Sequence, residues 1–255
     1  MKINISNIQH FSVGDGEGIR TTLFVKGCNL HCPWCHNPEN LSYAPVQLHY
    51  KNTGKTQSCG RCVETAEILP QLLEDRDFFE ESGGGVTFSG GEIMLQAEAA
   101  AELAALLKQE GVCVLIDTAG CVSYQEFEKL NGLVGGYLFD VKTADAEKYR
   151  QIGGKLELVA ENLQRLLADK QNVTVRIPLI PEFNTDTDSI AGICSMLSAM
   201  GIKKVELLPF HRLGSGKYEA LDMVYAYKDC KPLSKESLAE IRAMYETCFE
   251  VKMEG

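Results

Sequence analysis

The chain has 255 residues, 45% of them apolar and 24% charged, with a net charge of −10. These values suit one soluble α/β domain with a sizeable core, and they argue against a nucleic-acid partner, which needs a basic face. No apolar run reaches the roughly 18 residues of a membrane span, and the N-terminal MKINISNIQHFSVG lacks signal-peptide character, so a cytoplasmic protein with no membrane partner is expected.

In chain order, IRTTLFVKG (from Ile19) reads as a buried strand and runs into GCNLHCPWCHNPEN, which carries Cys28, Cys32 and Cys35. The stretch Ser42 to Cys62, SYAPVQLHYKNTGKTQSCGRC, is polar and turn-rich, and is expected to be a short insertion within a single domain, 1–255. GVTFSGG (from Gly85) is the next strand. MLQAEAAAELAALLKQEG, from Met94 to Gly111, is an amphipathic helix closed by glycine. Further strands are VCVLIDT (from Val112), YLFDVK (from Tyr137), VTVRIPLI (from Val173) and KVELLPF (from Lys204), with helical patterns at ENLQRLLADK, DSIAGICSMLSAMG and SKESLAEIRAMYE. Strand and helix in alternation predict a parallel sheet with strands buried on both faces. The units are too few for a full eight-fold barrel, so a partial barrel or an open sheet is expected.

In such folds ligands bind beyond the carboxyl ends of the strands. Cys28 follows the first strand and Ser89-Gly90-Gly91-Glu92 closes the second. Asp117-Thr118 ends the third, and Asp140 and Lys142 end the fourth. The fifth carries Arg176, and His211 follows the sixth. Taken singly, an Asp at a strand end serves as readily as a helix cap, and Lys142 or Arg176 as an ion-pair partner. Together they predict one site at one rim.

Ten cysteines without a secretion signal, three of them clustered, point to metal rather than disulfides. Two readings stand on spacing alone. A zinc site would complete Cys28, Cys32 and Cys35 with His31 or His36, giving a non-catalytic zinc or electron-transfer protein. A four-iron cluster on three thiolates would leave one iron open for a substrate or cofactor.

The spacing Cys28-x-x-x-Cys32-x-Trp34-Cys35 resembles the cluster loop of the radical S-adenosylmethionine (SAM) enzymes. DGEGIR (Asp15 to Arg20), CHNPEN, SGGGVTFSGGE (Ser82 to Glu92), DTAG (Asp117 to Gly120), FDVK (Phe139 to Lys142) and ELLPFHRLGSGKY (Glu206 to Tyr218) are similar, in the same order, to the glycyl-radical-enzyme activating enzymes, in particular those of the pyruvate formate-lyase type. The resemblance implies a partial (β/α)6 barrel of the radical SAM type, with a short two-cysteine insertion. It implies an oxidoreductase that binds a [4Fe-4S] cluster and S-adenosyl-L-methionine. Such an enzyme reductively cleaves SAM to a 5′-deoxyadenosyl radical and abstracts a hydrogen atom from a backbone glycine of a glycyl radical enzyme. It also implies an electron donor such as flavodoxin or ferredoxin.

Carried over residue by residue, Cys28, Cys32 and Cys35 hold the cluster, and Trp34, Cys35 and His36 pass the adenine. Gly90, Gly91 and Glu92 receive the methionine amine. Asp140, Val141, Lys142, Arg176 and His211 are further cofactor contacts. Asp117, Thr118 and Asp140 hold a monovalent cation, with Asp117 also near the cofactor, and Asp15 and Arg20 grip the substrate loop. A superfamily member acting on a small molecule or peptide is the alternative; DGEGIR and LLPFHRLG favour the activase. The chain departs from many activases in having CGRC, with Cys59 and Cys62, where they insert an eight-cysteine ferredoxin-like region. Two thiolates cannot hold a four-iron cluster, so the pair is expected to be a relic or an inert turn, rather than a redox dithiol or half a zinc site completed by His49 or a distant cysteine. Ala119 stands where relatives carry Asn. Cys113, Cys121, Cys194, Cys230 and Cys248 are expected to be small buried hydrophobes.

Overall fold

The computed structural model describes residues 1–253. The long strand β1 (Lys2–Ser12) turns back into β2 (Arg20–Val25). After the cysteine loop come the hairpin β3 (Val46–Tyr50) and β4 (Lys55–Cys59), then β5 (Arg61–Glu64), α1 (Thr65–Leu72) and α2 (Arg76–Ser82). The strand–helix alternation follows: β6 (Gly85–Gly90), α3 (Ala97–Gln109), β7 (Val114–Thr118), α4 (Tyr124–Glu128), β8 (Gly136–Asp140), α5 (Ala146–Gln151), α6 (Leu156–Ala168), β9 (Val173–Leu179), α7 (Thr187–Ala199) and β10 (Lys204–Pro209). The chain ends with α8 (Ser215–Ala220), α9 (Lys235–Glu246) and β11 (Glu250–Met253).

One nine-stranded sheet has the order β11-β10-β9-β8-β7-β6-β2-β1-β5. From β2 to β11 every neighbouring pair is parallel. The six strands expected from sequence therefore lie side by side in chain order, each joined to the next by a crossover that carries helix. They form the partial (β/α)6 barrel. Their interiors are nearly continuous apolar runs because both faces are covered, and Leu23, Phe88, Ile116, Phe139, Ile177 and Leu207 are all buried to within 1%. Although the sheet does not close, its first and last parallel strands are bridged at the top: the loop after β2 meets the segment after β10 through the stacked rings of His36 and His211, 4.1 Å between centroids. Among the described residues no helix is long and apolar enough to cross a membrane.

The stretch expected to be an insertion divides in two. The hairpin is a separate two-stranded sheet that packs Leu48 and Cys59 on Ala220 of α8. Cys62, by contrast, belongs to the main sheet, where Asn4 of β1 pairs with it. Cys59 is buried and Cys62 exposed. His49 faces Thr56 across the hairpin, with Nδ1 to Oγ1 at 3.0 Å. Among the described residues no group of three or more His, Cys, Asp or Glu is arranged to hold a single metal ion. We therefore expect Cys62→Ser to change stability by less than about 0.5 kcal/mol, and Cys59→Ser to cost about 1 kcal/mol for burying a hydroxyl, both with iron content unchanged. Loss of about one metal equivalent per chain in either variant would make this pair a working site. Of the other cysteines, Cys121 and Cys194 are buried as expected, whereas Cys113 and Cys248 are exposed and Cys230 is half-buried.

Candidate active site

The cysteine loop is held by backbone hydrogen bonds before any metal is considered. Gly27 N–H donates to the Asn40 carbonyl at 2.8 Å, Cys28 N–H to Leu41 at 3.2 Å, His31 N–H to Ile152 at 2.8 Å and Cys35 N–H to Cys32 at 3.0 Å. Behind it lies Lys26, fully buried, whose ammonium donates to the Glu39 carbonyl at 2.5 Å. The Cys28, Cys32 and Cys35 thiols are half-buried and near enough to feel one another electrostatically. Burial pushes each up to about 11, with a neighbouring thiol adding to it. Such thiols gain most from a metal, which replaces the proton and stabilises the thiolate. The donor set suits a cluster of several irons better than one zinc. His36 Nε2–H donates to the His211 carbonyl at 2.9 Å, and among the described residues neither imidazole joins the thiols in a group arranged for a single metal ion.

The Gly90-Gly91-Glu92 turn lies directly against this loop. Gly91 N–H donates to the Val25 carbonyl at 2.9 Å and Glu92 N–H to Gly27 at 2.8 Å. Both glycines are required by space: Gly90 has φ +116°, and a Cβ on Gly91 would lie 2.2 Å from the Gly27 oxygen. The Glu92 side chain turns away from solvent. It is 1% exposed and accepts from Thr118 Oγ1 at 2.7 Å, Ala119 N–H at 2.9 Å and Met94 N–H at 3.1 Å. Burial lifts its carboxyl to about 7, and these three donors oppose the shift. Glu92 thus ties the end of β6 to the end of β7, which leaves the backbone of the turn as the part open to a ligand.

A charged chain lines the next part of the rim. The Arg176 guanidinium reaches Asp117 at 2.5 Å and Asp140 at 3.1 Å, and Lys142 Nζ reaches Asp140 at 3.1 Å. Ser89 Oγ donates to Asp117 at 2.7 Å. Burial works against the Asp140 charge, but Lys142 and Arg176 together hold its carboxyl below the usual range. Burial likewise works against the Lys142 ammonium, and Asp140 more than compensates. At the residues expected to hold a monovalent cation, the Thr118 hydroxyl donates to Glu92 and the Arg176 guanidinium contacts both Asp117 and Asp140. Val141 is fully buried, and its N–H donates to the Arg176 carbonyl at 2.8 Å.

The Trp34 ring is 6% exposed and packs on Phe183 and Tyr227, with centroids at 4.4 and 5.9 Å. The Arg20 side chain is turned inward. It is 1% exposed, at the far end of β2 from the cysteines, and donates to Thr87 Oγ1 and to the Glu17, Val86 and Cys113 carbonyls at 2.6–3.2 Å. Asp15, half-buried, accepts from Thr22 Oγ1 at 2.7 Å. We expect Arg20→Met to cost about 3 kcal/mol through orphaned buried acceptors, with SAM cleavage unchanged at temperatures where the variant is folded. A variant of normal melting temperature but raised KM for its protein substrate would restore Arg20 to the substrate grip.

Three positioning residues escaped the sequence reading. Asn184, fully buried, donates to the Lys142 and Pro178 carbonyls at 2.8 and 2.7 Å. Asn162, also fully buried, donates to the Gly120 and Val122 carbonyls, each at 2.7 Å. Lys217 of α8 reaches Asn37 Oδ1 at 2.7 Å and Glu39 Oε1 at 2.6 Å. Only Asn162 left a trace in the sequence, as an amide on the apolar face of a helix beside Val159, Leu163 and Leu166.

Comparison with known proteins agrees with this geometry. Residues 14–133, which include all three cluster thiols, match the family described as 4Fe-4S single cluster domain. The pyruvate formate-lyase 2-activating enzyme of Escherichia coli K12 is 36% identical, across 95% of this chain and 89% of that protein. The chain belongs to the glycyl-radical-enzyme activating enzymes. The choline trimethylamine-lyase activating enzyme of Oleidesulfovibrio alaskensis is 32% identical over 95% of this chain and 94% of its own. The benzylsuccinate synthase activating enzyme of Thauera aromatica is 35% identical over 88% and 83%. In the structures of two more distant proteins the same fold recurs. A domain of a Bacteroides vulgatus pyruvate-formate lyase-activating enzyme superposes with TM-score 0.57 at 22% identity, covering 68% of this chain and all of that one. A Sphaerobacter thermophilus radical SAM methyltransferase superposes with TM-score 0.64 at 15% identity, covering 99% and 73%. In this activase, then, Gly90, Thr118 and Asp140 close their strands, while Arg176 lies mid-strand in β9 and reaches the ends of β7 and β8 with its side chain.

Proposed function

We propose that this rim is where the activase holds its [4Fe-4S] cluster and S-adenosylmethionine and meets a glycine of its partner, a glycyl radical enzyme. The observation that carries the reading is the convergence of three thiols, the Gly90-Gly91 turn and the Asp140–Lys142 pair at one rim of the sheet. Once bound and reduced by one electron, the cluster and SAM would supply the radical chemistry that removes a hydrogen atom from the glycine. The chain's own residues prepare the place. Cys28, Cys32 and Cys35 hold the cluster and leave one position uncommitted. Gly90 and Gly91 let backbone groups approach the methionine amine. Lys142, fixed by Asp140, presents a positive charge to a carboxylate, and Arg176 holds Asp117 and Asp140 in place. The stacked rings of His36 and His211 form a wall for the adenine. Asp15, the one partly exposed member of the substrate-loop pair, is left to meet the partner's backbone. A reducing cytoplasm, with a flavodoxin or ferredoxin as electron donor, completes the reading.

The test uses protein purified without oxygen and reduced chemically. Wild type should form 5′-deoxyadenosine from SAM and an organic radical on the partner enzyme. His211→Ala and Asp140→Ala should each slow deoxyadenosine formation by about tenfold or more, while iron stays at about four per chain. Full activity in both variants would remove these residues from the cofactor site.

A further inference from the structure

We propose that Cys194 and Cys248 form a reversible thiol–disulfide pair on the outer layer of the barrel, closed by exchange with a small disulfide such as oxidised glutathione. The inference is independent of the cofactor site. Cys194 lies within α7 and is 7% exposed. Cys248 lies in the turn between α9 and β11 and is exposed. Though remote in sequence, the two sulfurs come into hydrogen-bonding contact. Both line one cavity of about 430 Å³, with Ile190 and Ser198 of α7 and Met244 of α9 around them. The cavity opens to solvent and gives a small disulfide access to the pair. Tyr245 and Phe249, on either side of the exposed thiol, are buried to 0% and 5%. The segment is therefore anchored with its sulfur already facing its partner, which is what a bond of fixed geometry requires.

Chemistry orders the two thiols. Burial, and after it the nearby Cys248 sulfur, push the Cys194 thiol up to about 12, so Cys194 keeps its proton and offers it to Cys248. The Cys248 sulfur also touches the Thr247 hydroxyl at 3.4 Å. Attack needs a thiolate that the disulfide can reach, which makes Cys248 the first to react. Its thiolate bonds to one sulfur of the small disulfide, and one small thiol leaves with the Cys248 proton. Cys194 then gives up its proton, its sulfur bonds to Cys248 Sγ, and the second small thiol leaves with that proton. Two electrons pass from the protein to the small disulfide, which ends as two thiols. The location decides the effect. β11 starts beside the start of β10, with Glu250 paired to Lys204, so Cys248 sits at the amino ends of the strands, opposite the rim. β11 is a four-residue strand at the edge of the sheet. The bond would fasten that edge to α7 and close the intervening chain into a loop in the unfolded state.

The test treats the iron-loaded enzyme with oxidised glutathione in the absence of air and reads its peptides by mass spectrometry. The peptides carrying Cys194 and Cys248 should appear joined, lighter by two hydrogens than the free pair, and dithiothreitol should separate them. The oxidised chain should unfold at a urea midpoint higher by roughly 0.5–1 M. Cys248→Ser should fold normally, because that thiol is exposed, and its midpoint should not respond to glutathione. A Cys248 that ends as a stable glutathione adduct with Cys194 still free overturns the proposal. So does a Cys248 joined to any other cysteine, or a joined pair whose urea midpoint does not rise.

Discussion

Cys32→Ala is expected to lose most of its iron and with it all measurable cleavage of SAM. The loop offers three thiols, and the nearby His36 imidazole is hydrogen-bonded to the His211 carbonyl. Removing one leaves two, too few for a four-iron cluster. The fold should survive, because the loop is fixed by its own backbone hydrogen bonds and by Lys26 behind it. Cys121→Ala is the matching control. That thiol is 6% exposed and lies by the rim, where it accepts from Lys155 N–H at 3.3 Å, so its loss should cost some packing and no iron. Iron and sulfide analysis of anaerobic protein decides the matter. A Cys32→Ala chain that keeps its iron would refute the assignment.

Arg176→Met should be the most destabilising single change at the rim. It would leave Asp117 and Asp140 facing each other, both less than a fifth exposed, with only Lys142 to compensate. Breaking a buried ion pair by removing one partner costs about 3–5 kcal/mol, a large part of the roughly 5–15 kcal/mol that holds a domain together. Arg176→Lys should fall between wild type and Met: it restores the charge, but an ammonium lacks the planar fork that serves two carboxylates at once. The shift in urea midpoint measures this directly. Two variants of wild-type midpoint would show that the bridge contributes nothing.

The six parallel strands were legible because burial on both faces makes them apolar throughout. The elements that were missed have weaker patterns for physical reasons. β1 is antiparallel and alternately exposed, β4 is the polar KTQSC with four of five residues exposed, and β11 has four residues. Of the site, the cysteine loop was readable because its ligands are local in sequence, and the rim because strand ends can be counted. Side-chain direction could not be counted in that way. An arginine is usually exposed, so nothing in DGEGIR reveals that Arg20 points into the sheet to bind carbonyls. Nor does VTVRIPLI reveal that Arg176 spans two neighbouring strands to reach Asp117.

The contact between the two ends of the barrel bears on how the protein is made. Cys28, Cys32 and Cys35 lie within eight residues of one another, but His211 follows its stacking partner His36 by 175 positions, and Lys217 follows Asn37 by 180. A nascent chain that has exposed its cysteines still lacks the segment that clasps their loop. The loop's own backbone hydrogen bonds reach only as far as Ile152. The clasp over the cysteine loop therefore closes only after a further 175 residues have been synthesised.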